Sequence, residues 1–491
     1  MPEKKSTLPN EEAVRRKKAA LATAAGRAPY PQIFDRPQSV AVVRKSPPGT
    51  PGVTVAGRLM RIRTIGQLTF ADVHDGSGRI QLQAQRSMAQ DGYQEFLDLL
   101  DPGDFISASG ELMTTKTGEL TVAVQRWQLL SKALRPLPDK YHGLKDHELR
   151  YRKRYLDLLV NPEVRKLFEQ RSKFITAFRL FLDRRGFLEV ETPVLELIPG
   201  GAEAEPFVTH HRTLGIDLYL RISLELHLKR LLVGGMDRIY EIGKVFRNEG
   251  MSSEHLQEFT ELEFYQAYAD YEDLQRTVQE CYREVLQETF GTSEFACQGK
   301  TLDFHGPWAV VDYAAGVLAA SKVDVVKASD DELRRALDRR KVAYEPSAGR
   351  GRLIDLLYKK TLRPTLFQPT LVINHPVAVS PLAKRHRDNP ELTERITVVV
   401  AGSEVGNGFS ELNDPLDQRQ RFEQQAKLRA AGDTEAQMMD EDFVEALEHG
   451  MPPAAGFGVG IDRLFMLVTD QPSVRDVVLF PTMRPDGPKK I

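Results

Sequence analysis

An arginine, carboxylates and aromatic side chains alternate along residues 246–271. The stretch opens with a compact charged turn, F-R-N-E-G, that contains Arg247 and Glu249. After a polar loop comes a run in which side chains two apart point to the same side of a strand. The side chains that share this face are Phe259, Glu261, Glu263 and Tyr265. Arginine can bind an anion and carboxylates can bind an amine, so the stretch predicts the floor of an active site. The same pattern also allows a solvated antiparallel strand pair.

Other elements must bring further groups to this strand pair. A connection of about ten residues is longer than an ordinary hairpin loop, which favours a functional role. Glu225 begins a short helical run, and Glu404 and Glu411 lie in a β run with small residues at 395–413. A glycine-rich turn, G-F-G-V-G-I, then leads into an amphipathic helix that carries Arg463. This turn is not a dinucleotide-binding fingerprint, because no βαβ unit surrounds it.

Composition is typical of a globular protein with two domains. The chain has 491 residues, a length too great for one ordinary core. Of these residues, 41% are hydrophobic and 28% are charged. With a net charge of −2, a nucleic-acid partner would have to be bound by local basic patches. Cys281 and Cys297 cannot form a four-cysteine zinc site, and with no secretory signal they indicate a reducing compartment. No apolar run approaches the roughly 20 residues of a membrane span. We therefore expect a cytoplasmic protein with no membrane partner.

Changes in pattern divide the chain into four segments. Residues 1–52 are expected to form a basic N-terminal helix and a proline-rich linker. This helix carries R-R-K-K at 15–18, and is either a solvated terminal helix or an arm that contacts nucleic-acid phosphates. Residues 53–132 contain strand runs, a short helix and a D-G-S-G turn, which predict an OB-fold barrel. Residues 133–146 read as a second linker, and 147–491 as the larger domain.

Phe70 and Gln81 mark the face of the barrel that would bind nucleic acid. OB folds stack the bases of single strands on aromatic side chains beside polar groups. Both residues fall on the strands that form this face. Alternatively, Phe70 belongs to the barrel core and Gln81 to its surface, and the pattern alone favours neither reading.

Three segments in this order resemble the three motifs of class II aminoacyl-tRNA synthetases. They are G-F-L-E-V-E-T-P with its preceding long helix, F-R-N-E with its hairpin, and G-V-G-I-D-R at 458–463. The barrel is similar to that of the subgroup activating lysine, aspartate or asparagine. Phrases such as I-P-G-G-A, A-Y-A-D-Y, G-N-G-F-S-E-L-N-D and V-V-L-F-P-T-M-R-P resemble lysyl-tRNA synthetases. The resemblance implies an α+β multidomain fold, with an N-terminal OB-fold β-barrel for the anticodon. A class II catalytic domain follows, built on an antiparallel β-sheet flanked by helices.

The resemblance also implies a pocket for L-lysine. Glu263 and Glu411 match the positions that meet the side-chain amine, and Glu225 matches the position that meets the α-amine. An ammonium group in a closed site needs acidic partners, because an unpaired buried charge is very costly. The full set of matching lysine-binding positions is Glu225, Arg247, Glu263, Tyr265, Asn407, Phe409 and Glu411.

An ATP site beside this pocket is implied in the same way. Phe259 would stack under adenine with Arg463 on its other face, and Arg247 would contact the α-phosphate. Arg247 and Arg463 are the implied catalytic residues, and Glu404 and Glu411 the implied ligands of Mg²⁺. The matching ATP-binding positions are Arg247, Glu249, His255, Phe259, Glu404 and Arg463.

The implied reaction has two steps. Lysine and ATP would form lysyl-adenylate and pyrophosphate, and lysine would then pass to the 3′ end of tRNA(Lys). Such chemistry needs positioning and charge neutralisation more than covalent participation of the protein. The partners implied are tRNA(Lys), lysine, ATP and a second copy of the chain, because residues 186–193 match the dimer strand of the family.

Four features depart from the family pattern. Thr397 stands seven residues before Glu404 where a metal-binding Glu is usual, which leaves the number of Mg²⁺ ions open. The other departures are Glu205, Glu254 and the loop residues Leu256 and Gln257. Lineage variation is one explanation. Another is a catalytically altered relative that binds tRNA without charging it. A ligase that attaches lysine to a protein is a third possibility, but its relatives lack the barrel.

Overall fold

The computed structural model divides the chain into two compact units, Met1–Lys145 and Asp146–Ile491. The residues it describes are 8–86, 92–138, 144, 146–433 and 435–485. Residues 1–7 of the expected N-terminal segment, and 139–143 and 145 of the second expected linker, lie outside them. Of the helices within the described ranges, none is long and apolar enough to cross a membrane.

The first unit contains a five-stranded barrel. Its strands are β1 (Val53–Ile65), β2 (Leu68–His74), β3 (Arg79–Gln85), β4 (Phe105–Thr114) and β5 (Leu120–Ser131), and its helices are α1 (Leu8–Ala24), α2 (Val40–Val43) and α3 (Gly92–Leu99). The barrel closes in the order β1-β2-β3-β5-β4. Alternate residues such as Val73, Ile80 and Leu82 are at most 1% exposed and fill its interior. The predicted OB-fold barrel is confirmed.

Helix α1 packs onto this barrel. Arg15 Nη1 donates to the carbonyl oxygens of Pro102 and Ala133 at 3.0 and 3.2 Å. Lys18 Nζ lies 2.7 Å from Asp101 Oδ1. Two residues of the basic run therefore fasten the helix to the barrel. This corrects the expectation of a solvated terminal helix, because ion pairs and carbonyl contacts hold α1 in place.

The linker expected before the barrel also contains structure. Val40 and Val43 of α2 are fully buried in the barrel core. The backbone N–H of Val40 donates to Asp75 Oδ2 at 2.8 Å, and that of Ala41 to Ser77 Oγ at 2.9 Å. The D-G-S-G turn thus satisfies the first N–H groups of α2 while joining β2 to β3. Residues 29–52 are therefore part of the barrel unit rather than a plain linker.

A large mixed sheet forms the centre of the second unit. The strands of this unit are β6 (Leu188–Glu189), β7 (Leu195–Glu196), β8 (Val208–His211), β9 (Ile216–Leu220), β10 (Arg238–Phe246), β11 (Glu258–Ala267), β12 (Glu294–Cys297), β13 (Lys300–Asp303), β14 (Ala309–Asp312), β15 (Thr370–Ile373), β16 (Arg395–Val400), β17 (Ser403–Ser410) and β18 (Ala454–Gly460). The eight-stranded sheet has the order β14-β15-β16-β17-β18-β11-β10-β6. Its outermost pairs are parallel and the pairs between them are antiparallel.

Helices cover both faces of this sheet. They are α4 (His147–Arg152), α5 (Arg154–Val160), α6 (Pro162–Asp183), α7 (Glu225–Val233), α8 (Tyr271–Phe290), α9 (Tyr313–Ser321), α10 (Asp330–Arg339), α11 (Arg350–Thr361), α12 (Pro415–Ala430), α13 (Glu441–Glu448) and α14 (Ile461–Val468), with 3₁₀ turns at Arg363–Thr365, Val377–Val379 and Val474–Val477. Phe264 belongs to the core with α6, α8 and α14, and its neighbour Tyr265 to the core with α7 and α13. Cys281 and Cys297 lie in the first of these cores, each 1% exposed.

The long hairpin predicted from the alternating run is formed by β10 and β11. Val245 pairs with Phe259, and Glu241 with Glu263, in an unbroken antiparallel register. On its other side β11 pairs with the glycine-rich strand β18, which places Gly456 opposite Tyr265. The face that carries the polar residues of β11 is therefore bordered by a strand with few side chains, and this leaves room above the sheet.

Candidate active site

A cavity of about 320 Å³ lies over strands β11, β17 and β18. The larger unit's sequence-predicted residues all line it: Glu225, Arg247, Glu249, His255, Phe259, Glu263, Tyr265, Glu404, Asn407, Phe409, Glu411 and Arg463. They come from the hairpin, the start of α7, β17 and the start of α14. The fold thus brings together side chains from four separate stretches of the chain.

Three donors fix the carboxylate of Glu263. Its Oε1 accepts hydrogen bonds from Ser223 Oγ and from the backbone N–H of Leu224, both at 2.8 Å. Its Oε2 accepts one from the Tyr265 hydroxyl at 2.7 Å. A carboxylate held by three donors stays in one orientation. Glu263 is therefore a preorganised acceptor for a cation.

A buried lysine of the chain itself contacts two more of the predicted carboxylates. Lys229 Nζ lies 2.5 Å from Glu225 Oε1, one helical turn away on α7, and 2.5 Å from Glu411 Oε2. It also lies 5.1 Å from the centre of the Phe409 ring, within reach of a cation–π interaction. The Lys229 and Glu411 side chains are 0% exposed.

Burial and mutual repulsion change the acidity of these carboxyl groups. Burial raises the pKa of Glu225 to about 7, and Glu263 raises it further while Lys229 opposes the shift. Burial likewise raises the pKa of Glu411 to about 8 against the effect of Lys229. For Lys229, burial lowers the pKa, but the two carboxylates outweigh it and raise the pKa. The ammonium therefore stays charged, and the cluster favours additional positive charge.

Gly456 makes room for this cluster. A Cβ atom at Gly456 would lie 2.3 Å from Tyr265 Cε1 and 2.4 Å from Glu411 Oε1. Both distances are far below van der Waals contact, so only glycine lets Tyr265 and Glu411 face each other across β18. The glycine-rich G-F-G-V-G-I segment therefore permits the close approach of the protein's own side chains.

Asn407 and Thr397 lie on neighbouring strands. Asn407 Oδ1 accepts a hydrogen bond from Arg395 Nε at 2.8 Å. Thr397 is fully buried, and its Oγ1 lies 3.0 Å from His375 Nε2. Burial keeps the pKa of His375 well below its usual range, so this imidazole is neutral. Thr397 is not among the residues that line the cavity, and its hydroxyl is already bound to His375.

Arg247 is held from two sides. Its Nε donates to the carbonyl oxygen of Ile222 at 3.1 Å. Its guanidinium lies 5.1 Å from the centre of the Phe259 ring. Its Nη2 lies 3.9 Å from Glu261 Oε2, a longer contact that leaves terminal N–H groups for another anion.

Arg463 is the second arginine predicted for the site, and it lines the cavity. Its Nη1 donates to the carbonyl oxygen of Glu404 at 2.7 Å, and its Nη2 to that of Glu254 at 3.4 Å. Its Nε is buried and has no hydrogen-bond partner among the described residues. The Glu404 side chain is 28% exposed, with Oε2 4.0 Å from Arg363 Nη1. The carboxylate of Glu404 is thus accessible at the cavity wall.

The loop between β10 and β11 carries Glu249 and His255. Gln257 Nε2 donates to the carbonyl oxygen of Glu249 at 3.0 Å, which ties the two ends of the loop together. His255 Nδ1 lies 2.7 Å from Ser252 Oγ. Burial and the nearby Arg463 lower the pKa of His255. Its imidazole is therefore neutral at pH 7.

Two of the unusual glutamates have defined contacts. Glu254 lines the cavity, and its Oε1 accepts a hydrogen bond from Ser403 Oγ at 2.8 Å. Glu205 contributes only its carbonyl oxygen, which accepts the Asn248 N–H at 2.7 Å, while its side chain is exposed. Glu254 therefore adds a carboxylate to the cavity, whereas Glu205 adds a backbone contact to the turn at Arg247.

Glu261 interacts with both the carboxylates and the arginines of the cavity. Burial and the charge of Glu263 raise its pKa to about 8, while Arg247 and Arg463 lower it. Its Oε2 is buried without a hydrogen-bond partner in the described part of the chain. Glu261 is thus mostly protonated at neutral pH and leaves Arg247 available.

Phe70 and Gln81 lie on the outer face of the barrel. Phe70 pairs with Arg63 of β1 and Gln83 of β3, and its side chain is half-buried. Gln81 is 9% exposed, and its Oε1 accepts a hydrogen bond from Thr121 Oγ1 at 3.0 Å. The structure thus places Phe70 outside the barrel core, beside an exposed arginine, and shows Gln81 to be partly committed to Thr121.

Lys229 and Arg395 were not among the residues predicted for the site. Glu261 was predicted to lie on the alternating face of β11, but no ligand was assigned to it. Lys229 lies four residues after Glu225 on a predicted helix, a spacing that signals an ion pair. Its contact with Glu411, and that of Arg395 with Asn407, depend on the tertiary fold and leave no local signal.

Both units of the chain match known protein families. Residues 146–484 match the family described as tRNA synthetases class II (D, K and N), and residues 53–130 match the OB-fold nucleic acid binding domain. The chain is 50% identical over 481 residues to a lysine–tRNA ligase of Moorella thermoacetica, covering 96% of this chain and 97% of that protein. It is 50% identical over 469 residues to that of Roseiflexus sp., covering 94% and 96%. The lysine–tRNA ligase of Halalkalibacterium halodurans is 46% identical over 482 residues, covering 96% of both chains.

Proposed function

Because this chain belongs to the class II aminoacyl-tRNA synthetases of the lysine–tRNA ligase family, we propose how its cavity activates lysine and charges tRNA(Lys). The observation that carries the proposal is the division of charge within one cavity. Glu225, Glu263 and Glu411 can receive a cationic amino acid, and Arg247 and Arg463 can receive a triphosphate. An amino acid and ATP can therefore be bound side by side.

The carboxylates select lysine. The ε-ammonium of the substrate lies between Glu263, which three donors hold in place, and Glu411, whose Oε1 is buried without a hydrogen-bond partner. Glu225 receives the α-ammonium, while Asn407 and Phe409 line the pocket. A buried charge is strongly disfavoured unless it has a partner of opposite charge. An amino acid with a neutral side chain would leave buried carboxylates unpaired and would therefore bind more weakly than lysine.

The arginines bind ATP. Phe259 stacks under the adenine ring, and Arg463 packs on its other face and reaches the γ-phosphate. Glu249 accepts from the adenine amino group, and His255 contributes a further nucleotide contact as a neutral imidazole. Arg247 binds both the α-phosphate and the lysine carboxylate. A fixed guanidinium that contacts both reactants positions them for reaction without moving itself.

The reaction follows from this placement. A lysine carboxylate oxygen attacks the α-phosphorus, the bond from that phosphorus to the bridging oxygen breaks, and pyrophosphate leaves. A ribose hydroxyl at the 3′ end of tRNA then attacks the lysyl carbonyl carbon, loses its proton, and displaces AMP. Charge developing on the phosphate oxygens is stabilised by Arg247 and Arg463, so the protein contributes positioning and fixed charge.

The residues present fit a magnesium ion beside the triphosphate. Mg²⁺ prefers oxygen ligands and is usually held by one or two carboxylates together with phosphates. Glu404 offers an accessible carboxylate at the cavity wall. Glu411 already has an ammonium group at 2.5 Å, which favours a role in lysine binding over one in metal binding. Bound magnesium would neutralise phosphate charge. We propose Glu404 as its principal protein ligand, and we assign Glu411, the second ligand that the family resemblance implies, to the lysine substrate instead.

Glu404→Gln should raise the Mg²⁺ concentration needed for half-maximal activity by about tenfold, a loss of about 1.4 kcal/mol. An amide oxygen is a weaker ligand for a hard cation than a carboxylate. Electron paramagnetic resonance of Mn²⁺ in the presence of ATP would measure the binding directly. Thr397→Ala is the matched control and should leave metal binding unchanged, because its hydroxyl is bound to His375. Equal metal affinity in Glu404→Gln and wild type would contradict this role.

The KM for ATP should rise by roughly fivefold or more between pH 7 and pH 9. Glu261 has a raised pKa of about 8, so it is neutral below that pH and anionic above it. Once ionised, it competes for Arg247 at 3.9 Å, where opposite charges attract by about 4 kcal/mol at a dielectric constant of about 20. Glu263 and Glu225 disfavour its ionisation, and Arg463 favours it. Glu261→Gln should abolish the rise; an unchanged pH profile in this variant would argue against the explanation.

We propose that the barrel binds the anticodon of tRNA(Lys) through its outer face. Phe70 supplies an aromatic surface for stacking, and Arg63 beside it supplies a positive charge for a phosphate. Gln81 presents its amide group on the same face and can read a base edge with the donors that Thr121 does not occupy. Binding by stacking and charge should weaken as salt concentration increases.

We propose that two copies of the chain form a homodimer through the edge of the large sheet. Strand β6 ends this sheet, and both of its residues are exposed. Exposed apolar side chains cluster in sequence around it: Leu188, Val194, Leu195 and Leu197, between 41% and 66% exposed. An edge strand with apolar neighbours is suited to pairing with another chain.

At micromolar concentration the protein should sediment with twice the chain mass of 55.4 kDa. Leu188→Asp should shift it towards the monomer, because a charge would be buried at the proposed interface. Leu416→Asp, at a leucine on α12 that is 75% exposed against 53% for Leu188, is the control and should leave the mass unchanged. A monomeric wild-type protein in analytical ultracentrifugation would exclude this interface.

Pyrophosphate exchange across a panel of amino acids tests the proposed activity. Exchange should depend on lysine and be absent with aspartate and asparagine. Lack of lysine-dependent exchange, together with tRNA binding, would favour the alternative of a tRNA-binding relative that does not charge it. We also propose a cytoplasmic location, because free tRNA, ATP and lysine meet there.

A further inference from the structure

An ammonium group of the protein contacts two carboxylates that line the lysine pocket. Lys229 Nζ lies 2.5 Å from both Glu225 Oε1 and Glu411 Oε2 and faces the ring of Phe409. These three partners are residues that we propose receive the substrate. The inference therefore rests on the proposed function, which itself assigns no role to Lys229.

Among the described residues, Lys229 is the cation paired with the carboxylates that receive lysine. Glu225, Glu263 and Glu411 carry three negative charges when ionised, and Lys229 neutralises one of them. Lysine has two ammonium groups, and its carboxylate is assigned to Arg247. A buried carboxylate without a cation is strongly disfavoured. Without Lys229, one of the three carboxylates would therefore lack a cationic partner when lysine is bound.

Lys229 also engages one particular oxygen of Glu411. Its ammonium lies 2.5 Å from Oε2 as an ion pair, and both oxygens of Glu411 are buried without a hydrogen-bond partner among the residues described. Oε1 points to the side where Gly456 leaves space, since a Cβ there would be only 2.4 Å away. One oxygen is thus engaged by the protein and the other is available to a ligand.

We infer that Lys229 is a positioning residue of the lysine pocket. Its ammonium holds Glu225 and Glu411 as oriented carboxylates and leaves the pocket with two negative charges for the two ammonium groups of the substrate. Helix α7 enforces this arrangement, because residues four apart lie on one face of a helix. Lys229 is therefore a determinant of specificity for an amino acid with two positive charges.

The test is the binding of lysine to Lys229→Met, measured by titration calorimetry with ATP binding measured in parallel. Methionine keeps the length of the side chain and removes its charge. The Kd for lysine should rise by about 30- to 100-fold, the usual scale for loss of one partner in a buried charge pair. The Kd for ATP should stay within about twofold of wild type, a split that general loss of structure would not produce. A Kd for lysine within about threefold of wild type would overturn the inference.

A double-mutant cycle with Glu411→Gln separates positioning from packing. If Lys229 acts through the charge of Glu411, Lys229→Met should weaken lysine binding much less in the Glu411→Gln background than in wild type. Equal fold-changes in both backgrounds would show that Lys229 acts independently of Glu411 and would overturn the inference.

Lys229→Arg and Lys229→Gln cover the case in which the methionine variant does not fold. Arginine keeps the charge and should retain lysine binding better than glutamine, which keeps only the hydrogen bonds; the reverse order would overturn the inference. Lys132→Met is the matched control. Lys132 is also fully buried, with Asp101 and Asp104 at 2.7 and 2.8 Å, but it belongs to the barrel. Its loss should lower stability without changing the Kd for lysine.

The outcomes for Lys229 and for the proposed function are distinguishable. Wild-type protein that binds lysine but shows no lysine-dependent pyrophosphate exchange would refute the activity and leave the role of Lys229 standing. Wild-type exchange together with unchanged lysine binding in Lys229→Met would refute only the role of Lys229. Wild-type protein that does not bind lysine would refute both.

Discussion

Glu411→Gln should raise the KM for lysine by about two orders of magnitude, in line with the roughly 2–5 kcal/mol lost when one member of a buried charge pair is removed. Glu411 is 1% exposed and lines the cavity, and its Oε2 forms an ion pair with Lys229. The amide keeps the shape but not the charge, so the substrate ammonium loses an anionic partner. It also leaves Lys229 with one carboxylate instead of two.

Steady-state pyrophosphate exchange measures this effect, with the KM for ATP as the internal reference. Glu394→Gln is a matched control, since Glu394 is also a buried carboxylate but is bound to Arg387 and Ser410 Oγ. It should reduce thermal stability without changing the KM for lysine. A near-normal KM for lysine in Glu411→Gln would mean that Glu411 does not receive the side-chain amine.

Arg247→Lys should lower kcat for adenylate formation by about two to three orders of magnitude, the cost typical of removing one preorganised donor from an active site. Arg247 is fixed by the Ile222 carbonyl oxygen and by the Phe259 ring, so its terminal N–H groups keep one direction. A lysine retains the charge, but it cannot contact the α-phosphate and the lysine carboxylate with a planar pair of donors. The loss should therefore appear in the transition state.

Pre-steady-state adenylate formation separates this effect from substrate binding, which should weaken much less. Arg421→Lys is the control, because Arg421 is a buried arginine bound to Asp417 and to the carbonyl oxygens of Ser380 and Ala383. It should affect stability alone. An equal loss in both variants would indicate that arginine-to-lysine changes act through the fold.

Local pattern was sufficient for the floor of the site. The alternation along β11 places Phe259, Glu263 and Tyr265 on one face whatever the surroundings, since the period of a strand is two residues. The barrel was predictable for the same reason, with strand runs separated by turn residues. The roles of individual residues required the resemblance to a family, because spacing alone assigns no ligand to Glu225 or Asn407.

Long-range contacts were not predictable. Helix α1 has few large apolar residues. It docks on the barrel through the buried Ala22 and through contacts of Arg15 and Lys18 with groups more than 80 residues away. Lys229 reads locally as an ordinary basic residue of a short helix, and its two-carboxylate environment exists only after α7 meets β17. Thr397 reads as an ordinary strand residue until the structure shows its hydroxyl beside His375.

Both thiols of the chain lie in the apolar core behind the large sheet, and burial raises the pKa of Cys281. Attack by peroxide or maleimide requires an accessible thiolate. The folded protein should therefore tolerate oxidants without losing its pocket. A single cysteine introduced at an exposed position such as Asp98 on α3, away from the residues proposed to contact the anticodon, would then be the one site to accept a fluorophore. The movement of tRNA on the barrel could be followed in this way without first removing the native cysteines.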